Sequence, residues 1–215
     1  MQPNPTDPIL STNVPPIPPI HAIVARTSRL TLRPIFAEDR DAFIQMHEQS
    51  HTSFAPWSPN LPEGGYAALF DLQHERSVQG ELTGIECRRV AIVTETGEMA
   101  GVFAFSNIVR GSWCSCNAGW RVNSTLQGQG ICTEAMLAML EIAFNEQPHG
   151  LGLHRVEAGV VPTNAASLRI AEKIGMRREG LAKRYLKING TWQDHAIFAK
   201  TAEEHTPGVI EVECG

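Results

Sequence analysis

Gly119-Trp-Arg-Val-Asn-Ser-Thr-Leu-Gln127-Gly-Gln-Gly130-Ile-Cys-Thr133-Glu-Ala is the stretch on which the reading of this 215-residue chain turns. An alternating segment ends at Val122, a glycine-rich turn follows, and a periodic run starts at Ile131. Leu137, Leu140 and Phe144 fall on one stripe, which predicts a helix from about Ile131 to Asn145. The first turn of a helix carries N–H groups without intrahelical acceptors and a partial positive charge. Glycines let a phosphate come close to such a backbone. The stretch therefore reads as a pyrophosphate cradle. A Walker loop needs Gly-Lys-Ser/Thr, and no lysine is present. A Rossmann fingerprint needs GxGxxG early in a parallel βαβ unit, whereas Gly128-Gln-Gly130 stands alone, deep in the chain. Taken alone, the tripeptide also fits a plain turn before a core helix.

Outward from this stretch, helical and alternating segments are interspersed. Arg29 to Arg33 reads as a strand ended by Pro34, followed by helices at Glu38 to Gln49 and Tyr66 to Gln79. Strands are predicted at Arg88–Thr94, Met99–Val109 and Asn117–Val122 before the helix, and at His154–Val161 after it. A helix over Ala165–Ile174 stops at Gly175, and Asn189-Gly190 turns a hairpin between Arg177–Leu186 and Trp192–Thr201. This gives an α+β domain of about seven strands and four helices over residues 26–203. Half of the fourteen prolines precede residue 20, so residues 1–25 read as an extended or disordered arm. Residues 204–215 read as a flexible tail.

A formal net charge of -5 argues against nucleic-acid binding through a basic face, and leaves room for a basic substrate. Five cysteines without CxxC spacing fit free thiols in a reducing cytoplasm, with no metal site. Neither a membrane-spanning run nor a signal peptide is read in the sequence.

A second informative element is Asn164-Ala-Ala-Ser167-Leu-Arg-Ile-Ala-Glu-Lys-Ile-Gly175-Met. Asn164 is suited to cap the helix through a Ser167 N–H. Gln127-x-x-Gly130-x-Cys132 resembles the Q/R-x-x-G-x-G/A signature of GNAT acetyltransferases, and Asn164 to Met176 resembles the N-x-x-S…E-K-x-G-F/M segment of the same superfamily. Phe105-Ser-Asn-Ile-Val-Arg110-Gly-Ser-Trp113 and Arg184-Tyr-Leu-Lys-Ile-Asn-Gly190-Thr-Trp192-Gln-Asp-His195 look like the RimJ-type ribosomal-protein alanine N-acetyltransferases, with RimL-type enzymes close by. The likeness runs from about Arg26 to Thr201 and is dense after Phe103. Cys132 departs from the Gly or Ala usual at its position. It reads as a small packing residue, or as a thiol whose pKa a helix N-terminus lowers.

The resemblance implies a GNAT fold with a central mixed, mostly antiparallel sheet splayed at its fourth and fifth strands. It implies acetyl-CoA as co-substrate, bound by Trp120, Arg121, Val122, Gln127, Gly128, Gln129, Gly130, Ile131, Cys132, Thr133, Asn164 and Ser167. A backbone N–H near Arg121-Val122 would hold the oxyanion, Asn164 the pantetheine arm, and Ser167 would protonate the leaving thiolate. RimL-type enzymes place an acid just before the glycine turn; Asn123-Ser124-Thr125 has none. That absence favours an α-amine acceptor, whose reference pKa of about 7.7–8.0 leaves a fair share neutral, over lysine at about 10.4. Glu157 is a candidate acceptor for the proton, or a salt-bridged surface residue. Trp57 is the candidate acceptor-binding residue, or a loop aromatic packed on the core. The leading reading is a cytoplasmic, RimJ-like N-terminal acetyltransferase, monomeric or homodimeric. A small-molecule amine or antibiotic acetyltransferase, with an acid-lined site, and a non-catalytic acyl-CoA sensor are the alternatives.

Overall fold

The computed structural model describes residues 23–208 and 211–214. Nine strands form one sheet: β1 Ile23–Arg26, β2 Leu30–Arg33, β3 Cys87–Val93, β4 Met99–Val109, β5 Ser115–Val122, β6 Arg155–Val160, β7 Arg177–Ile188, β8 Thr191–Thr201 and β9 Glu211–Cys214. Their order is β7-β8-β6-β5-β4-β3-β2-β1-β9, and β5 with β6 is the parallel pair in an otherwise antiparallel sheet. The helices are α1 Arg40–Gln49, the single turn α2 His51–Phe54, α3 Gly65–Thr83, α4 Ile131–Phe144 and α5 Ala165–Lys173.

Two strands more than expected come from the chain ends. β1 begins inside the segment read as an arm, β9 lies inside the segment read as a tail, and the two pair with each other. Each has four residues, too few for an alternation to register, and their partner is almost the whole chain away. The rest of the arm, residues 1–22, lies outside the described residues. α3 also runs past Gln79 to Thr83, because Gly80 lets the chain fold back. A Cβ there would sit 2.5 Å from the Glu86 carbonyl oxygen.

Helices cover both faces, which is why β4 is buried from Met99 to Phe105 on nearly every residue rather than on alternate ones. On one face α4 packs Ile131, Ala135, Met136 and Met139 against Phe103, Phe105 and Val122. On the other, Phe43 and Met46 of α1 and Phe70 of α3 pack on Val90, Met99 and Val102. Fully buried Arg89 ties the first strand in: its Nε donates to the Ile23 carbonyl at 2.9 Å and its Nη1 to Glu81 at 2.5 Å.

The feature that makes the site is a divergence. β5 and β6 pair only at Ser115↔Arg155, Cys116↔Val156 and Asn117↔Glu157. Beyond Asn117, β5 stays with β4 as far as Val122, and β6 stays with β8 as far as Val160. The sheet therefore splits between its fifth and sixth strands, the place the resemblance implies once β1 is added to the count.

Candidate functional site

The Asn123 N–H bonds the Ala100 carbonyl of β4 at 2.8 Å. Backbone alternation in an antiparallel pair then turns the N–H and C=O of Arg121 toward β4, and those of Trp120 and Val122, past the last β5–β6 pair, toward the split. The open amide near Arg121-Val122 thus belongs to Val122. Arg121 contributes its side chain instead, on the face opposite Trp120.

The split opens into a cleft of about 1330 Å³. At one end lies the start of α4. Gly128 and Gly130 hold positive φ angles of 77° and 81°, which a side chain disfavours. No side chain caps this helix, and its first intrahelical bond is Glu134 N–H to Gly130 C=O at 3.0 Å. The amides of Ile131, Cys132 and Thr133 therefore lack helical acceptors, and the helix dipole points its positive end at the same place. The turn is held from behind. Arg29 donates to the Gln129 carbonyl at 3.0 Å and to Glu134 at 2.6 Å, and Thr27 also bonds Glu134. Burial would raise the Glu134 carboxyl, but these Thr27 and Arg29 bonds outweigh it and leave it below the usual carboxylate range. Doubly charged phosphates fit a cradle of this construction.

In the middle of the cleft, Asn164 Oδ1 accepts the Ser167 N–H at 3.1 Å and so caps α5. The Trp120 indole N–H reaches across from β5 and donates to Ser167 Oγ at 3.3 Å. With its oxygen accepting from the indole, the hydroxyl keeps its own proton to give. Of the sequence-predicted residues, Trp57, Trp120, Arg121, Val122, Gln127, Gly128, Gly130, Ile131, Cys132, Thr133, Asn164 and Ser167 all line the cleft. Gln129 does not; its side chain folds back on the Thr125 carbonyl at 3.1 Å.

Two alternatives left open by the sequence are decided, and Asn123 gains a role. Cys132 is not activated by the helix terminus: burial pushes its thiol up to about 12. Glu157 points away, paired with Arg155 at 2.7 Å in a network that continues to Glu179, and takes no part in the cleft wall. Asn123 is a buried structural residue, accepting the Thr125 N–H and donating to Glu98 at 3.0 Å.

At the far end of the cleft the sequence pointed to Trp57, whereas its neighbours on α1, α2 and α3 reach it only through the fold. Here His51 Nδ1 lies 2.6 Å from the Tyr66 hydroxyl, and Arg121 donates to Ser58 Oγ at 3.3 Å. Buried His47 donates from Nδ1 to the Phe43 carbonyl at 2.9 Å, and its buried Nε2 has no partner among the described residues. Burial lowers its pKa to about 4, so the ring is neutral, with Arg121 adding to the effect. Asn189, at the β7–β8 turn, donates to the Ala55 carbonyl at 2.9 Å and bridges the cleft mouth.

Residues 29–177 match the family model of the acetyltransferase (GNAT) domain. The [ribosomal protein uS5]-alanine N-acetyltransferase of Escherichia coli K12 is 31% identical over 189 residues, which is 85% of this chain and 92% of that protein. Among solved structures, the ribosomal-protein-S5-alanine acetyltransferase of Vibrio fischeri superposes with a TM-score of 0.74 at 24% identity, over 86% of this chain and 99% of that one. RimJ of Mycobacterium smegmatis, solved in complex with CoA-disulfide, superposes with a TM-score of 0.72 at 29% identity, over 85% of this chain and 87% of that one. With a sheet split beside a glycine-rich helix start, and a family match that spans most of its length, the chain belongs to the GNAT family of N-acetyltransferases.

Proposed function

We propose that the chain transfers the acetyl group of acetyl-CoA to the α-amine of a protein N-terminus, by direct attack in a ternary complex. The observation that carries this is the continuity of one cleft from the uncapped start of α4, through the split between β5 and β6, to the Trp57 and Tyr66 end. The pyrophosphate would sit on the amides at residues 128–133, and the pantetheine arm would take the missing pairing along β5. The thioester carbonyl would then lie against the Val122 N–H, which is aimed where negative charge develops. The amine enters from the other face, attacks the carbonyl carbon, and the tetrahedral intermediate expels the thiolate. Ser167, oriented by Trp120, gives that thiolate its proton. The nitrogen that attacked loses its extra proton to water in the cleft, which returns one to the Ser167 oxygen, so that the products are the neutral amide and the free thiol. Aligning the two reactants supplies much of the rate.

Among the described residues, no aspartate or glutamate lines the cleft. An acceptor already partly neutral at working pH suits such a site, and an α-amine qualifies where lysine does not. The same lack of acids counts against a polycationic drug or polyamine. Relatives named as ribosomal-protein alanine acetyltransferases support the N-terminal reading. The test is thiol release from acetyl-CoA with peptides starting in Ala, Ser or Met, set against free amines. Turnover of the peptides is expected. Turnover of free amines alone, or tight acetyl-CoA binding without turnover on any acceptor, removes this reading.

A further inference from the structure

Arg121 is a cation without a counter-ion. Among the described residues its one hydrogen bond is the 3.3 Å contact to Ser58 Oγ, and it joins no ion pair. Its cross-strand neighbour Val102 belongs to the core under α1 and α3, whereas Trp120 and Phe103 belong to the core under α4. The guanidinium therefore faces the end of the cleft opposite the phosphate cradle, and CoA phosphates on α4 do not reach it.

Its surroundings add positive charge. Arg88 and Arg76 share the single carboxylate Glu86, through Arg88 Nε at 2.7 Å and Arg76 Nε at 3.1 Å, and both arginines line the same cleft. Arg88 spends another donor on Gln73 at 2.6 Å. The other polar groups here, Tyr66, His51 and neutral His47, bring no negative charge. Burial, with Arg88 second, lowers the Arg121 pKa. A half-buried, unpaired guanidinium is costly unless something completes it. In a chain of net charge -5, a cleft end lined by three arginines and, among the described residues, by no carboxylate, with Glu86 behind it already shared by two of them, is not a reflection of average composition.

We propose that Arg121, with Ser58 beside it, binds a carboxylate carried by the acceptor within a few bonds of the reacting amine. The inference rests on the acetyl-transfer reading and adds a substrate class to it. Such a carboxylate has two sources, an acidic side chain next to the first residue of a peptide or the α-carboxylate of a free amino acid, and the guanidinium fork suits either.

The test measures kcat/KM for three peptides that begin Ala-Glu, Ala-Gln and Ala-Lys, and for L-alanine against alaninamide. In the natural protein the acidic peptide should exceed the neutral one by about tenfold or more, with the basic one lowest, as a charge-assisted bond predicts. In Arg121→Gln the acidic-to-neutral ratio should fall to about one. That ratio is taken within one variant, so a change in absolute rate does not bear on it. Calorimetric binding of acetyl-CoA reports whether the variant is folded. Equal values for all three peptides and for alanine against alaninamide, or a preference that persists in Arg121→Gln, overturn the proposal. Preference for L-alanine over alaninamide with no peptide turnover would keep the anion site and overturn the N-terminal acceptor instead.

Discussion

At the scale of single residues, the geometry separates groups that touch the reaction from groups that shape it. Ser167→Ala should lower kcat by about a hundredfold, the lower end of the general-acid range, because a thiolate leaves readily. Acetyl-CoA affinity by calorimetry should change little, since the hydroxyl meets the leaving sulfur and not the phosphates. His47 makes a different kind of prediction. Its folded pKa of about 4 lies below the ordinary histidine value of 6.5, so between those values the unfolded chain binds more protons and stability rises with pH. Urea unfolding at pH 5.5 should show about 1 kcal/mol less stability from this group than at pH 7.5. His47→Phe should flatten that part of the profile. The sequence made Ser167, Asn164 and the glycine turn legible because their chemistry is local. His47 and Tyr66 were not legible as cleft residues, since they come from two helices distant in sequence, and Arg121 was legible as a cleft residue but not as one that faces the end away from the phosphate cradle.

At the scale of elements, the split depends on β5 keeping its register against β4. Gly101 sits where the two backbones approach closely: a Cβ there would lie 2.3 Å from the Arg121 carbonyl oxygen. Gly101→Ala should cost about 1–3 kcal/mol in chemical denaturation. It should also raise the KM for acetyl-CoA, because the strand it displaces carries Trp120 and Val122. Most elements could be read from periodicity and punctuation, as at α4 and the Asn189-Gly190 hairpin. The misjudged end of α3 has a plain cause. Gly80 reads as a breaker locally, yet it is where the returning Glu86 backbone packs on the helix.

At the scale of the whole molecule, nine strands replace seven because the chain ends meet. β1 and β9 pair over four residues, from Ile23↔Cys214 to Arg26↔Glu211. No local pattern announces a contact that spans nearly the full chain. Truncation after Gly208 should lower stability by about 1–3 kcal/mol through the lost ladder bonds, with acetyl-CoA affinity retained, since that edge lies far along the sheet from β5. The three register pairs between β5 and β6 have a further consequence. They make a narrow join between a six-stranded block and a three-stranded one, and under the binding mode proposed above the co-substrate would stand in for a strand there, stitching a seam. Deuterium uptake at Trp120 and Val122 should be fast in the free enzyme and slow sharply once that seam is filled, while neighbouring Arg121 barely changes.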